Sequence, residues 1–431
     1  MICTYVFCLP VNSFASSDED IAAMRAQLEA LSKRLDKLEA DNRELLATNQ
    51  QLRNAAEAAP APARPESPQV AQASASDSSK EMVDYTSSTP AADSDASWYD
   101  RIRWEGDFRY RYEYIDIADR DSRNRSRIRA RAHLIADITP DINVGFGFAS
   151  GGDDPVSSNQ TLGRAGSSKG LNIDLAYANW TATENTNLVA GKFKNFLYRP
   201  GGSQFLWDGD WRPEGMGVSW DDQLFANALG TWIESDSSNE ESFAYVLQTG
   251  IKFPLGDDFE ATAGVGYSVF DVKGLGSIYG DTDEFYGNSF NPVTQTYLYD
   301  YEELELFADL RFDLFSKPLL VYADYVQNLA ADRHNTGYIF GFNYGKAVEK
   351  GQWSVSYAYE KLEADAAFGL LTSSDFGIGG TDAKGSIFNA NYAIYKGVNA
   401  VMTYFITDIG IRTPNPVGVN RLQMDLSFRY K

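Results

Sequence analysis

The chain has 431 residues, a formal net charge of −22 and a mean hydropathy of −0.36. That acidity excludes a nucleic-acid partner, because phosphate recognition needs a surplus of Lys and Arg. Beyond the first seventeen residues no run approaches the roughly 18 apolar residues of a transmembrane helix. A helical membrane protein is therefore excluded. A membrane β-barrel is not, since its lipid-facing and lumen-facing residues alternate and average out.

In chain order, residues 1–17 read as the apolar part of a secretory signal peptide with a cut after Ala15. Cys3 and Cys8, the chain's two cysteines, both lie in that segment. Thiol and disulfide chemistry then drop out of the mature chain. Residues 18–54 carry a heptad pattern, with Ile21, Leu28, Leu35, Asn42 and Asn49 at a and Met24, Leu31, Leu38, Leu45 and Leu52 at d. A short coiled coil is predicted, of unspecified strand number, with peptidoglycan or a periplasmic protein as its expected partner. Residues 55–97 are rich in Ala, Pro and Ser, cannot bury a core, and read as a flexible linker.

From residue 98 onward the pattern changes to period two. In residues 101–116 the even positions supply Ile102, Trp104, Phe108, Tyr110, Tyr112 and Tyr114. The odd positions supply Arg101, Arg103, Glu105, Asp107, Arg109, Arg111 and Glu113. Successive strand side chains point to opposite faces, so one face is apolar and the other charged. Residues 123–139 repeat this, with Ile128, Ala130, Ala132, Leu134, Ala136 and Ile138 on one face and Arg123, Arg125, Arg127, Arg129 and Arg131 on the other. Alternate residues on a strand are about 6.6–6.8 Å apart. A dry core cannot hold five guanidinium groups in such a row, so the charged face meets water. The same composition also suits a soluble β-rich binding protein. The arginine row decides for a barrel wall with lipid outside and water inside.

Sixteen period-two runs follow one another to residue 430, separated alternately by tight turns and by connections that are often long. The tight ones centre on residues 139–141, 181–186, 221–223, 254–258, 316–318, 348–351 and 396–397. The long ones are 151–170, 195–214, 271–300, 364–383 and 410–419. Short turns at one rim and long loops at the other are what an outer-membrane barrel has. The run at 224–233 is ambiguous as to which face points inward. The fold expected for residues 98–431 is an all-β, antiparallel transmembrane barrel of about 16 strands. It would be embedded in lipid and lipopolysaccharide of a Gram-negative outer membrane.

The first strand (WYDRIRWEGDFRYRYEY), the arginine-rich second strand, the stretch FKNFLYRPGGSQFLWDGDWRPEG and the last strand resemble the bacterial putative-porin family of outer-membrane channels. The resemblance implies a passive channel of 16 or 18 strands, often a homotrimer, for small solutes or ions. It also implies that the loop at residues 195–214 folds inward as a constriction. Gly201, Gly202 and the prolines permit its bends, and it carries the acids Asp208, Asp210 and Glu214. A surface loop capped by aromatics is the alternative. The pore-lining basic candidates are Arg103, Arg109, Arg111, Arg125, Arg127, Arg129 and Arg131.

A hairpin closing through residues 118–121 leaves arginine facing arginine in either of two registers. Partner numbers sum to 238, setting Arg127 and Arg129 against Arg111 and Arg109, or to 240, setting Arg129 and Arg131 there. Such a patch attracts anions. Alternatively the arginines pair with lumen acids and stiffen the wall, and overall acidity leaves the ion preference open. A second class of function is a structural barrel anchored through its coiled coil. An enzyme is not expected. His133 and His334 are the only histidines, and no G-x-S-x-G or H-E-x-x-H pattern occurs. No metal site or cofactor is expected, since the acidic clusters lack an EF-hand spacing and read as solvated loops.

Overall fold

The computed structural model describes Lys33 and residues 98–235, 241–256 and 259–431. The signal-peptide, coiled-coil and linker expectations lie outside the described residues. The chain divides into two units, Met1–Ser74 and Ala75–Lys431, and the barrel belongs to the second.

A one-turn 3₁₀ segment, Trp98–Arg101, leads into β1 (Ile102–Ile117), β2 (Arg123–Asp137), β3 (Ile142–Ser150) and β4 (Leu171–Thr183). Then come β5 (Thr186–Lys192), β6 (Glu214–Asp221), β7 (Leu224–Glu234) and β8 (Ser242–Pro254). The second half holds β9 (Phe259–Phe270), β10 (Tyr301–Leu314), β11 (Lys317–Asn328) and β12 (Thr336–Gly345). It ends with β13 (Trp353–Leu362), β14 (Ala383–Tyr395), β15 (Val398–Ile409) and β16 (Val417–Tyr430). Each strand pairs antiparallel with its sequence neighbours. β16 returns to β1 through pairs such as Phe108 with Phe428 and Tyr110 with Leu426, which closes the barrel. Closure satisfies the backbone of the first and last strands and removes the edges that lipid could not hydrogen-bond.

The predicted faces hold. Trp104, Phe108 and Tyr110 point outward on β1, and Met424, Leu426 and Phe428 do so on β16. Near the rim of tight turns the outer surface carries Trp104, Trp180, Trp220, Phe259, Trp353 and Tyr392. Trp232, Tyr245, Tyr267 and Tyr338 lie toward the rim of long loops. Amphipathic rings at two levels are the girdles by which such a barrel sits at the membrane interfaces. The run at 224–233 is settled: Phe225, Asn227, Leu229 and Thr231 are buried inside, while Leu224 and Trp232 are exposed outside.

The interior departs from a simple water-filled bore. Phe193, Phe205, Phe270, Tyr301, Leu362 and Phe368 form part of one fully buried apolar cluster. The loops 193–213, 271–300 and 363–382 supply much of it, packing on inward residues of β7 to β13. Trp207 stacks on Trp211 with ring centroids 5.1 Å apart. Burying each such side chain stabilises the arrangement by about 1.5–3 kcal/mol, which holds three long loops inside the barrel. Beside this cluster, Glu303, Glu305, Asp309, Asp324 and Glu360 are buried on the inner faces of β10, β11 and β13. The arginines gather on a separate polar wall.

Candidate channel site

That polar wall is built by β1, β2 and β16. Arg109 lies across from Arg129, and Arg111 from Arg127, so the register summing to 238 is the one adopted. On the other side of β1, Arg111 lies across from Asp425 and Arg109 from Ser427. Strand alternation thus brings Arg109, Arg111, Arg125, Arg127, Arg129, Arg131 and Arg421 to one inward surface. Arg103 shares the face but stands apart toward the tight-turn rim, 2.9 Å from Asp137.

Carboxylates reach most of these cations. Asp107 contacts Arg129 at 2.9 Å and Arg131 at 2.6 Å. Asp425 accepts two hydrogen bonds from Arg111, from Nε at 2.7 Å and from Nη2 at 2.8 Å. Such a fork-to-carboxylate pair is the strong, directional form of the interaction. Glu113 pairs with Arg125 and lies 3.8 Å from Arg421. Arg109 donates to Asn159 at 2.6 Å and comes only within 3.8 Å of Asp425.

The predicted loop reaches this wall from across the barrel. Near its start, the Tyr198 hydroxyl donates to Asp309 of β10, and the Tyr198 amide donates to Gln248 of β8 at 2.7 Å. The Gly201 carbonyl accepts from Asn343 of β12 at 2.8 Å. Gly201 adopts φ 65 and leaves the space filled by the Tyr322 ring of β11. A side chain here would meet both strain and collision. Nine residues on, Asp210 sits 3.0 Å from Arg129 and 3.1 Å from Arg131. The loop acid and the wall arginines therefore meet directly.

Asp208 takes a different role from Asp210. It accepts the Ser374 amide at 2.9 Å and the Asp210 amide at 2.8 Å. Its own amide donates to the Leu371 carbonyl at 2.8 Å. Burial pushes the Asp208 carboxyl up, and the charge of Asp210 adds to that. Burial acts against ionisation of Asp210 too, but Arg129 and Arg131 override it and hold that carboxyl well below the usual range. Glu214, the third predicted loop acid, does not join them. It opens β6 on the outward side with Met216 and Val218, and pairs with Lys192 at 2.5 Å.

Three contributors lay beyond the sequence argument. Asp375, in loop 363–382, contacts Arg111 at 2.9 Å and Arg421 at 3.0 Å. Burial would raise its carboxyl, yet these arginines hold it well below the ordinary range. Arg421 and Asp425 were readable as inward positions of the last strand, but nothing in the sequence tied them to the arginine row. A further network fixes both stems of loop 193–213. Lys194 pairs with Glu105, and Arg212 lies 3.3 Å from Asp174. Buried His133 stands between these two carboxylates, 2.8 Å from Asp174 and 3.6 Å from Glu105.

A closed sixteen-stranded barrel with an apolar, girdled exterior and a charged inner wall defines an outer-membrane channel. Residues 116–299 and 288–430 match the model of the family described as Putative porin, and the chain belongs to that family. Its fold is that of OprB from Pseudomonas putida in its high-pH structure. That match has a TM-score of 0.53 at 10% identity over 77% of this chain and 95% of that one. Vibrio cholerae OmpT lacking loop L8 aligns with TM-score 0.46 at 13% identity, covering 77% and 100% of the two chains. Salmonella typhi OmpF in complex with daunomycin aligns with TM-score 0.46 at 13% identity, covering 78% and 99%. No curated protein matches the sequence. The chain is a porin-family barrel of the Gram-negative outer membrane.

Proposed function

We propose that the chain is a passive diffusion channel for small hydrophilic solutes and ions, narrowed by loop 193–213 at the arginine wall. The observation that carries this reading is the course of that loop. It is bonded to β8, β10 and β12 around Tyr198 and Gly201, and to β2 through Asp210. A segment tied to both sides of the bore limits the free cross-section. On this reading the polar path runs beside Arg109 and Arg127, so a permeating solute meets guanidinium groups at the narrowing.

The assembly expected in the membrane is a homotrimer, as the family resemblance implies, and its mass in detergent measured by light scattering tests this. The channel itself is tested in planar bilayers of defined lipid. Purified, folded protein should give steady ohmic current steps in potassium chloride. A folded protein that inserts and never conducts would overturn the proposal.

A further inference from the structure

Of the seven arginines gathered on the inner wall, six reach a carboxylate within 4 Å. Arg127 does not. Among the described residues it makes no ion pair, and its Nε is buried without a hydrogen-bond partner. The nearest acids are committed elsewhere: Glu113 to Arg125 and Arg421, and Asp375 to Arg111 and Arg421. Asp154, in loop 151–170, bonds instead to the Val156 amide at 3.0 Å. Arg109 is the next least satisfied, with its own Nε buried and unpartnered and its only carboxylate 3.8 Å away.

Seven guanidinium groups share the five ion-paired carboxylates Asp107, Glu113, Asp210, Asp375 and Asp425, so this stretch of wall keeps an excess of positive charge even with Asp154 nearby. An unpaired guanidinium confined among like charges is costly unless an anion can reach it. It is also the geometry that takes a planar oxyanion by two parallel hydrogen bonds. We infer that Arg127, supported by Arg109, is a binding subsite for oxyanion solutes, carboxylate or phosphate in chemistry, on the permeation path. This rests on the channel reading above and names the solute class it favours. Cross-strand placement supports it, for Arg127 lies between Arg111 of β1 and Thr161 of the short bridge Gln160–Thr161.

The test uses the full chain in detergent and in bilayers, with inorganic phosphate and sodium acetate as probes. Calorimetry on wild type should detect binding of one or both. Arg127→Gln should weaken it by about tenfold or more, as loss of a charge-assisted hydrogen bond does. Arg127→Lys, which keeps charge but not the fork, should fall between the two. Lys396→Gln, at a tight turn remote from this wall, should bind as wild type does. In bilayers, millimolar phosphate or acetate should reduce the chloride current of wild type and not of Arg127→Gln, whose permeability ratio moves toward cations. Phosphate-only or acetate-only binding identifies the source of the oxyanion. Equal binding by wild type and Arg127→Gln, or none by wild type, overturns the subsite. A chain that binds anions but never conducts overturns the channel reading and leaves the subsite standing.

Discussion

Asp208 and Ser374 stand 166 residues apart in sequence, yet the Asp208 carboxylate accepts the Ser374 amide at 2.9 Å. That bond joins loop 193–213 to loop 363–382 inside the barrel. With the Asp208 amide on Leu371, it makes the two loops one structural unit.

Replacing Asp208 with Ala leaves the amides of Ser374 and Asp210 without their partner, at about 1–3 kcal/mol for each buried group left unpaired. The barrel should persist, since its ladder is untouched, while both loops become open to protease. Limited proteolysis of the folded variant should cut within 193–213 and 363–382. A digestion pattern identical to wild type would refute the coupling.

Gly201→Val tests the other end of the same loop. The new side chain would collide with the Tyr322 ring at a backbone conformation that branched residues avoid. The cost is about 1–3 kcal/mol of overpacking, relieved by lifting the loop from β11. Conductance should rise with Arg129 and Arg131 still in place. Unchanged current steps would show that this anchor does not set the bore.

The acids facing the arginines make a pH argument. Asp210 and Asp375 are held below their ordinary value of 3.8 by Arg129, Arg131, Arg111 and Arg421. Their stabilisation is therefore complete above that value and is lost only as pH falls through the lower, folded one. Asp208 is shifted the other way; its ionisation costs stability as pH rises from 3.8 toward its folded value. Measured in an Asp208→Asn background, which removes that neighbouring group, the stability lost on Asp210→Asn/Asp375→Asn should stay constant from about pH 7 to about pH 4 and close below that. Melting curves in detergent measure it. A difference that shrinks already near neutrality would contradict the assigned pairing.

The outer face is tested at Leu247, in the middle of β8 and 58% exposed. Leu247→Arg should cost about 2–4 kcal/mol on folding into lipid vesicles, against about 0–1 for Leu255→Arg near the interface. Equal costs would mean that Leu247 does not meet acyl chains.

The barrel was legible because lipid and water impose opposite demands on alternate residues. Arg125, Arg127, Arg129 and Arg131 could only line an aqueous side, so strand number, faces and turn parity followed from period two. The hairpin at residues 118–121 allowed two registers by parity alone, and only the folded barrel selects Arg111 against Arg127. Period two weakens where loops fill the interior. In β8, Ala244 and Val246 point inward and Tyr245 and Leu247 outward, so both faces read as apolar. Glu214 was grouped with Asp208 and Asp210 by closeness in sequence, but it begins a strand, and strand alternation carries it to the outer side. Asp375 could not be foreseen, because its position depends on how a twenty-residue loop packs against another loop.

The seam between Ile102–Ile117 and Val417–Tyr430 ties the first strand of the barrel to its last. Any intermediate lacking the final hairpin presents two open edges whose amides and carbonyls acyl chains cannot satisfy. Stepwise insertion of finished hairpins into lipid is thereby penalised at every stage but the final one. Until that seam pairs, both edges need shelter from acyl chains.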